Sequence, residues 1–196
     1  IYAYRKIRNT FRFLLGNLHG FNPDAFKNPP PLLEIDQLTL HLLQKLTTRI
    51  RQAYESYDFH VIFHEVNRFC TVDLSTFYLD ILKDRLYTAA ASDPSRKAAQ
   101  WVLFQITSVL ARLTAPILSF TSEEVWGFLP SFSKKPASVH LTELPEPDNQ
   151  WINESLGRKW EQLREIRTEV LKALEIARVE KLIGSSLEAK ILLAAE

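Results

Sequence analysis

Methionine is absent from these 196 residues, cysteine occurs once, and only five glycines are present. A single thiol, Cys70, excludes an internal disulfide framework and any site built from several thiolates, and it suits a reducing compartment. The glycines, scattered from Gly16 to Gly184, form no phosphate-cradling loop. No apolar run approaches the ~20 residues that span a bilayer, and the N-terminus lacks a signal-peptide layout. A cytoplasmic protein without membrane contact is therefore expected. An excess of charge of one sign is missing too: 24 Lys and Arg oppose 23 Asp and Glu, for a net charge of +1. Any nucleic-acid surface must be local. With no methionine and an opening in mid-helix pattern, the chain is expected to be an internal piece of a longer one.

The missing charge that matters most is local. Before Glu34 the chain carries Arg5, Lys6, Arg8, Arg12 and Lys27 against Asp24 alone. On a helix of 3.6 residues per turn, Tyr4, Ile7, Phe11, Leu14 and Leu18 share one side and form a core stripe. The opposite side gathers Arg5, Asn9, Arg12 and Gly16, flanked by Lys6 and Phe13 on one hand and Arg8 on the other. An ordinary solvated face mixes signs. A cationic wall with an aromatic ring beside it suits single-stranded nucleic acid, whose bases stack on rings while its phosphates meet arginine. A plain solvated face and a surface covered by a partner protein are the competing readings.

The spacing of apolar residues predicts an all-α bundle. A proline-rich connection from Phe21 to Leu33 separates the first helix from a second, capped by Asp36 and burying Leu38, Leu42, Leu46, Ile50, Ala53 and Tyr57. A third helix is predicted from Phe59 to Cys70, then a break at Thr71-Val-Asp73, then a fourth from Leu74 to Tyr87. Arg96 to Thr114 is apolar on most sides, as a central helix would be. Thr121-Ser-Glu-Glu124 reads as a capping box for a short helix ending at Leu129. The bundle is thus assigned to residues 1–129. Residues 130–150, rich in proline, read as a linker with a short strand at Val139-His-Leu141. Residues 151–196 read as a long helix from Glu154 to Leu182, closed by Gly184 as the C′ residue, leading into a truncated α/β piece with a strand at Leu187–Leu193.

Catalytic chemistry is hard to find. His60 and His64 stand at i and i+4, a spacing that can hold zinc, but His-x-x-x-His-Glu is not the metalloprotease order and no further ligands complete the set. Two ordinary helix histidines are the simpler account. Asp73, Asp80 and Asp84 beside Lys83 and Arg85 read as ion pairs on a helix surface, and Cys70 as a packed thiol. No catalytic residue and no metal ligand is assigned.

Four blocks carry a family resemblance: Tyr4-Arg-Lys-Ile-Arg-Asn-Thr-Phe-Arg-Phe-Leu-Leu-Gly-Asn17, Phe69-Cys-Thr-Val-Asp-Leu-Ser-Thr-Phe-Tyr-Leu-Asp-Ile-Leu-Lys-Asp-Arg-Leu-Tyr87, Ala115-Pro-Ile-Leu-Ser-Phe-Thr-Ser-Glu-Glu-Val-Trp126 and Glu180-Lys-Leu-Ile-Gly-Ser-Ser-Leu-Glu-Ala-Lys190. In this order they resemble the bacterial isoleucyl-tRNA synthetases across essentially the whole chain. The resemblance implies the class Ia helical bundle that binds the anticodon arm of isoleucine tRNA, working as a monomer with the remainder of the synthetase. It implies Phe13 as a stacking platform and Arg12 as a base or phosphate donor, with Arg5, Arg8 and Asn9 along the RNA backbone. Lys83, Arg85 and Arg68 are implied as outlying contacts to stem phosphates. ATP with Mg²⁺ and a structural zinc ion are implied for the full-length enzyme and not for this segment. The His-Ile-Gly-His and Lys-Met-Ser-Lys-Ser signatures, the editing insertion and the cysteine pairs of the zinc module are all missing. Aminoacylation and editing are therefore not expected here. A protein–protein module with a basic docking face, the same bundle of a valyl, leucyl or methionyl enzyme, and a metalloenzyme built on His60 and His64 are the alternatives.

Overall fold

The stripe on residues 4–18 becomes the inner side of helix α1 (Tyr2–Asn17), where Ile7, Phe11 and Leu14 are buried, with Leu18 buried just beyond. This computed structural model describes residues 2–194. They form α2 (Glu34–Glu55), α3 (Phe59–Arg68), a π-helical segment (Phe69–Tyr78), α4 (Leu79–Tyr87), α5 (Pro94–Thr114), α6 (Ser119–Phe128) and α7 (Glu154–Val179). The all-α expectation holds. The chain divides into one unit through Ile152 and a second from Asn153 onward.

In the first unit α5 touches α1, α2, α4 and α6. Its neighbours cover Ala98, Ala99, Val102, Leu103, Ile106, Leu110 and Leu113 on nearly every side, as a helix apolar all round requires. Asp93 opens it by accepting the backbone N–H of Ser95 at 2.7 Å and of Arg96 at 3.3 Å, with Pro94 in the first turn, where its missing N–H costs nothing. The structure makes α2 a second central helix, since Leu38, Leu40, Leu43, Leu46 and Ile50 bury different sides of it. Leu42 is only half-buried and Tyr57 is out in solvent.

Several predicted boundaries are corrected. Helix α2 starts at Glu34, so Asp36 lies inside its first turn and reaches back to the Leu33 N–H at 3.1 Å. The break expected at residues 71–73 does not occur. Helices α3 and α4 run on through the π-helical turns, and Asp73 is buried against Arg68 instead of capping a new helix. Helix α6 begins at Ser119, and Thr121 hydrogen-bonds Tyr4 across to α1 at 3.0 Å, which leaves Tyr4 only partly covered.

Residues 130–152 lie strapped onto the bundle. Arg51 donates to the carbonyl of Leu144 at 3.1 Å and pairs with Glu146, and Gln44 accepts the N–H of Asp148 at 2.9 Å. Trp126 donates its indole N–H to Pro136 at 2.9 Å. The strand expected at residues 139–141 is a single 3-10 turn, Val139–Leu141, begun by the Ser138 hydroxyl.

In the second unit Asn153 caps α7 through the Leu156 N–H at 3.0 Å. The helix ends at Val179, and Lys181 at φ 59°, not Gly184, takes the left-handed C′ position. The Leu182 N–H returns to Ala177 and the Lys181 N–H to Arg178, which is the Schellman pattern. The strand expected at Leu187–Leu193 is absent among the described residues. A 3-10 turn, Ser186–Glu188, is followed by irregular backbone through 194, because an extended segment becomes a strand only when a neighbour pairs its N–H and C=O groups.

Candidate nucleic-acid interface

Two hydrogen bonds fix which side of α1 faces outward. On one flank the Tyr4 hydroxyl meets Thr121 of α6. On the other the Thr10 hydroxyl bonds back to the Lys6 carbonyl at 3.0 Å and meets the Ser75 hydroxyl of the π-helical segment at 3.4 Å. With the apolar stripe buried between them, Arg5, Arg8, Asn9 and Arg12 are exposed, as the sequence predicts. Phe13 is half-buried on the Thr10 flank, with part of its ring left to solvent. Asn17 donates to the Phe13 carbonyl at 2.9 Å and closes the turn beneath it.

The electrostatics of this face are uneven. Among the described residues Arg5 and Arg12 have no ion-pair or hydrogen-bond partner. Arg8 faces Glu124 of α6 at 3.6 Å, with both side chains more than half exposed, and such a pair contributes about 0–1 kcal/mol. The Lys6 ammonium sits 4.5 Å from the centre of the Tyr2 ring. Two unneutralised guanidinium groups near a partly open phenyl ring can hold phosphate and stack bases.

The three outlying cations stand differently. Lys83 is exposed and bound to Asp80 at 2.8 Å, a bond that raises its pKa. Arg68 is spread between Glu65 at 3.5 Å and the buried Asp73 at 3.0 Å. Arg85 lies elsewhere, largely buried in an ion pair. Its side chain is only 15% exposed and one nitrogen donates to both oxygens of the fully buried Asp36, at 2.9 and 3.1 Å. The other terminal nitrogen donates to the Ser95 carbonyl at 2.7 Å, while Tyr78 donates to Asp36 at 2.7 Å. This cation joins α2, α4 and the start of α5, because a carboxylate without water needs a charged partner. Burial and the adjacent Asp36 charge hold the Tyr78 phenol well above its ordinary pKa.

Sequence reasoning missed a groove of about 720 Å³ beside the cationic face, between α1 and α6. Arg8, Arg12 and Gly16 line one side and Glu124, Val125 and Phe128 the other. No local signal joins residues more than a hundred positions apart; the Tyr4–Thr121 contact does so. Among the described residues no group of three or more His, Cys, Asp or Glu could hold a metal ion, and no helix is long and apolar enough to cross a membrane. Cys70 is buried, which pushes its thiol up to about 12.

The chain is similar to isoleucine–tRNA ligases. It is 48% identical over 198 residues to that of Desulforudis audaxviator, covering 99% of this chain and 21% of the relative. The ligase of Geobacter sulfurreducens is 48% identical over 195 residues, again 99% and 21%, and that of Geobacillus thermodenitrificans 49% over 190 residues, 96% and 21%. The chain thus spans about a fifth of the length of the curated relatives it matches, and α1 lies within the shared region of those that cover 99% of it. Residues 36–193 match the family described as the anticodon-binding domain of tRNA ligase. With that match over most of its length, joined to the helical fold above, the chain belongs to the family of tRNA-ligase anticodon-binding domains.

Proposed function

We propose that this chain is the anticodon-arm-binding module of an isoleucine–tRNA ligase, and that the outer face of α1 is its RNA contact. The observation that carries the reading is the pair Arg5 and Arg12, exposed without counter-charge next to half-buried Phe13 on a helix locked in rotation from both flanks. Single-stranded RNA is read by splaying bases onto aromatic and guanidinium planes. Phe13 offers the ring, Arg12 a base or phosphate donor, and Arg5, Arg8 and Asn9 follow the backbone. Lys83 is the outlying candidate for a stem phosphate, and Arg68 a weaker one because Asp73 holds it.

The module contributes selection and positioning. Free energy gained at the anticodon stabilises the complex in which the distant acceptor end meets the catalytic centre. Isoleucine attachment with ATP and Mg²⁺, and the structural zinc ion, are assigned to other parts of a cytoplasmic, monomeric enzyme. Among the described residues no group of three or more His, Cys, Asp or Glu is placed to hold such an ion. Arg12→Ala and Phe13→Ala test the assignment. Each should weaken binding of an isoleucine anticodon stem-loop by about 1–3 kcal/mol while the melting temperature stays within about two degrees of wild type. A collapse of stability instead would make these side chains core, and unchanged binding would remove them from the interface.

A further inference from the structure

We infer that the groove between α1 and α6 receives one unstacked nucleotide of the bound RNA strand, with its base against Phe128 and its phosphate at Arg12 and Arg8. The inference rests on the RNA-binding reading above and adds a second subsite on the opposite flank of α1 from Phe13. At about 720 Å³ the groove lies within the roughly 300–1,000 Å³ typical of small-molecule pockets. Its floor is apolar, from Phe11 and Val125, both buried. Phe128 stands 73% exposed on its wall, an arrangement that wastes burial in the free protein and offers a stacking face. Arg12 has no partner among the described residues and lies on the rim.

Besides the two arginines the groove is lined by the polar side chains of His19, Thr121 and Glu124, and the carboxylate supplies a preference among bases. Glu124 accepts, so it favours a base carrying an exocyclic amine, as carboxylates do toward the amino group of cytosine. Its present partner is Arg8 at 3.6 Å. Entry of a nucleotide splits that loose pair without leaving either charge bare, since Arg8 turns to the phosphate and Glu124 to the amine. An apolar peptide would gain nothing from the cationic rim, and an acidic peptide would meet Glu124.

Gly16 makes the proposal testable. It lines the groove, and a Cβ built on it meets nothing within 4 Å. Gly16→Leu therefore fills the groove without disturbing the helix, while Phe128→Ala removes the stacking wall. The full chain is titrated with isoleucine anticodon stem-loops carrying 2-aminopurine at each loop position in turn, following both anisotropy and 2-aminopurine emission. Emission should change on binding at one position beyond those sensitive to Phe13→Ala. Both groove variants should abolish that change and weaken binding about 5- to 100-fold, the range that one stacked base commands. Phe120→Ala, exposed on α6 and outside the groove lining, should bind as wild type. At the responsive position, replacing the base by its analogue without the amine should weaken wild type about 5-fold or more and Glu124→Gln hardly at all. If Gly16→Leu binds as tightly as wild type, or no position responds to it, the groove is not a nucleotide site. Loss of binding in Phe13→Ala alone would then leave the anticodon reading standing. Wild type that binds no stem-loop would overturn both.

Discussion

Asp36 and Arg85 behave in this structure as one group. Removing one partner of a buried ion pair leaves an uncompensated charge and costs about 3–5 kcal/mol, so Arg85→Ala should lower the free energy of unfolding in urea by that much. Substitution of Lys83, exposed two positions earlier, should leave stability almost unchanged. Cys70 gives a pH signature. Its folded-state pKa is raised from 9.0 to about 12 by burial, so the folded protein holds this proton more tightly than the unfolded chain. The stabilisation is whole below pH 9 and drains away as pH rises toward 12, on the order of 3–4 kcal/mol at the far end. Tyr54, raised from 10.0 to about 12, adds its own loss from pH 10 upward. Equilibrium unfolding of wild type and Cys70→Ala between pH 8 and 10 should show a decline in wild type that the variant lacks. The outward placement of Arg5, Asn9 and Arg12 was readable from helical spacing alone. The fate of Arg85 was not, because its partner lies 49 residues away and nothing in the local pattern distinguishes it from Lys83.

At the scale of elements, periodicity located every long helix, and the errors gathered at ends and joints. Two helices close in Schellman turns without glycine. Tyr57 at φ 61° ends α2 and Lys181 at φ 59° ends α7, each with the 6→1 bond from the next residue, Asp58 to Ala53 and Leu182 to Ala177. A reader looking for glycine therefore places the stop late. The 69–78 joint failed for a related reason. Thr71, Val72 and Asp73 disfavour an α-helix interior, yet wider π turns accept them, and the Ser75 hydroxyl donates to the Cys70 carbonyl at 2.7 Å. Gly16 offers a clean test of α1. It is helical, exposed and faces open space, so Gly16→Ala should stabilise the protein by about 0.5–1 kcal/mol. Thermal unfolding should rise by a few degrees; a fall would show that the groove wall is already filled.

For the whole molecule, the bundle was legible because its core is built from sequential amphipathic helices, whereas the strap was not. Residues 130–152 have the proline-rich look of a linker, and the groups that hold the segment down, among them Asp24, Gln44, Arg51, Glu123 and Trp126, all lie outside it. The cationic face of α1 was legible because its signal is local charge in one helix; the groove needed two helices distant in sequence. Base reading by α1 is decided by fluorescence anisotropy of this chain against isoleucine and valine anticodon stem-loops at two salt concentrations. Phosphate contacts fade as salt rises, while base contacts keep their discrimination. If α1 reads bases, the isoleucine loop binds more tightly at both concentrations, with the ratio between the two loops preserved. Equal affinities that vanish together at the higher salt would contradict it, leaving α1 as a phosphate-tracking surface that reads no base.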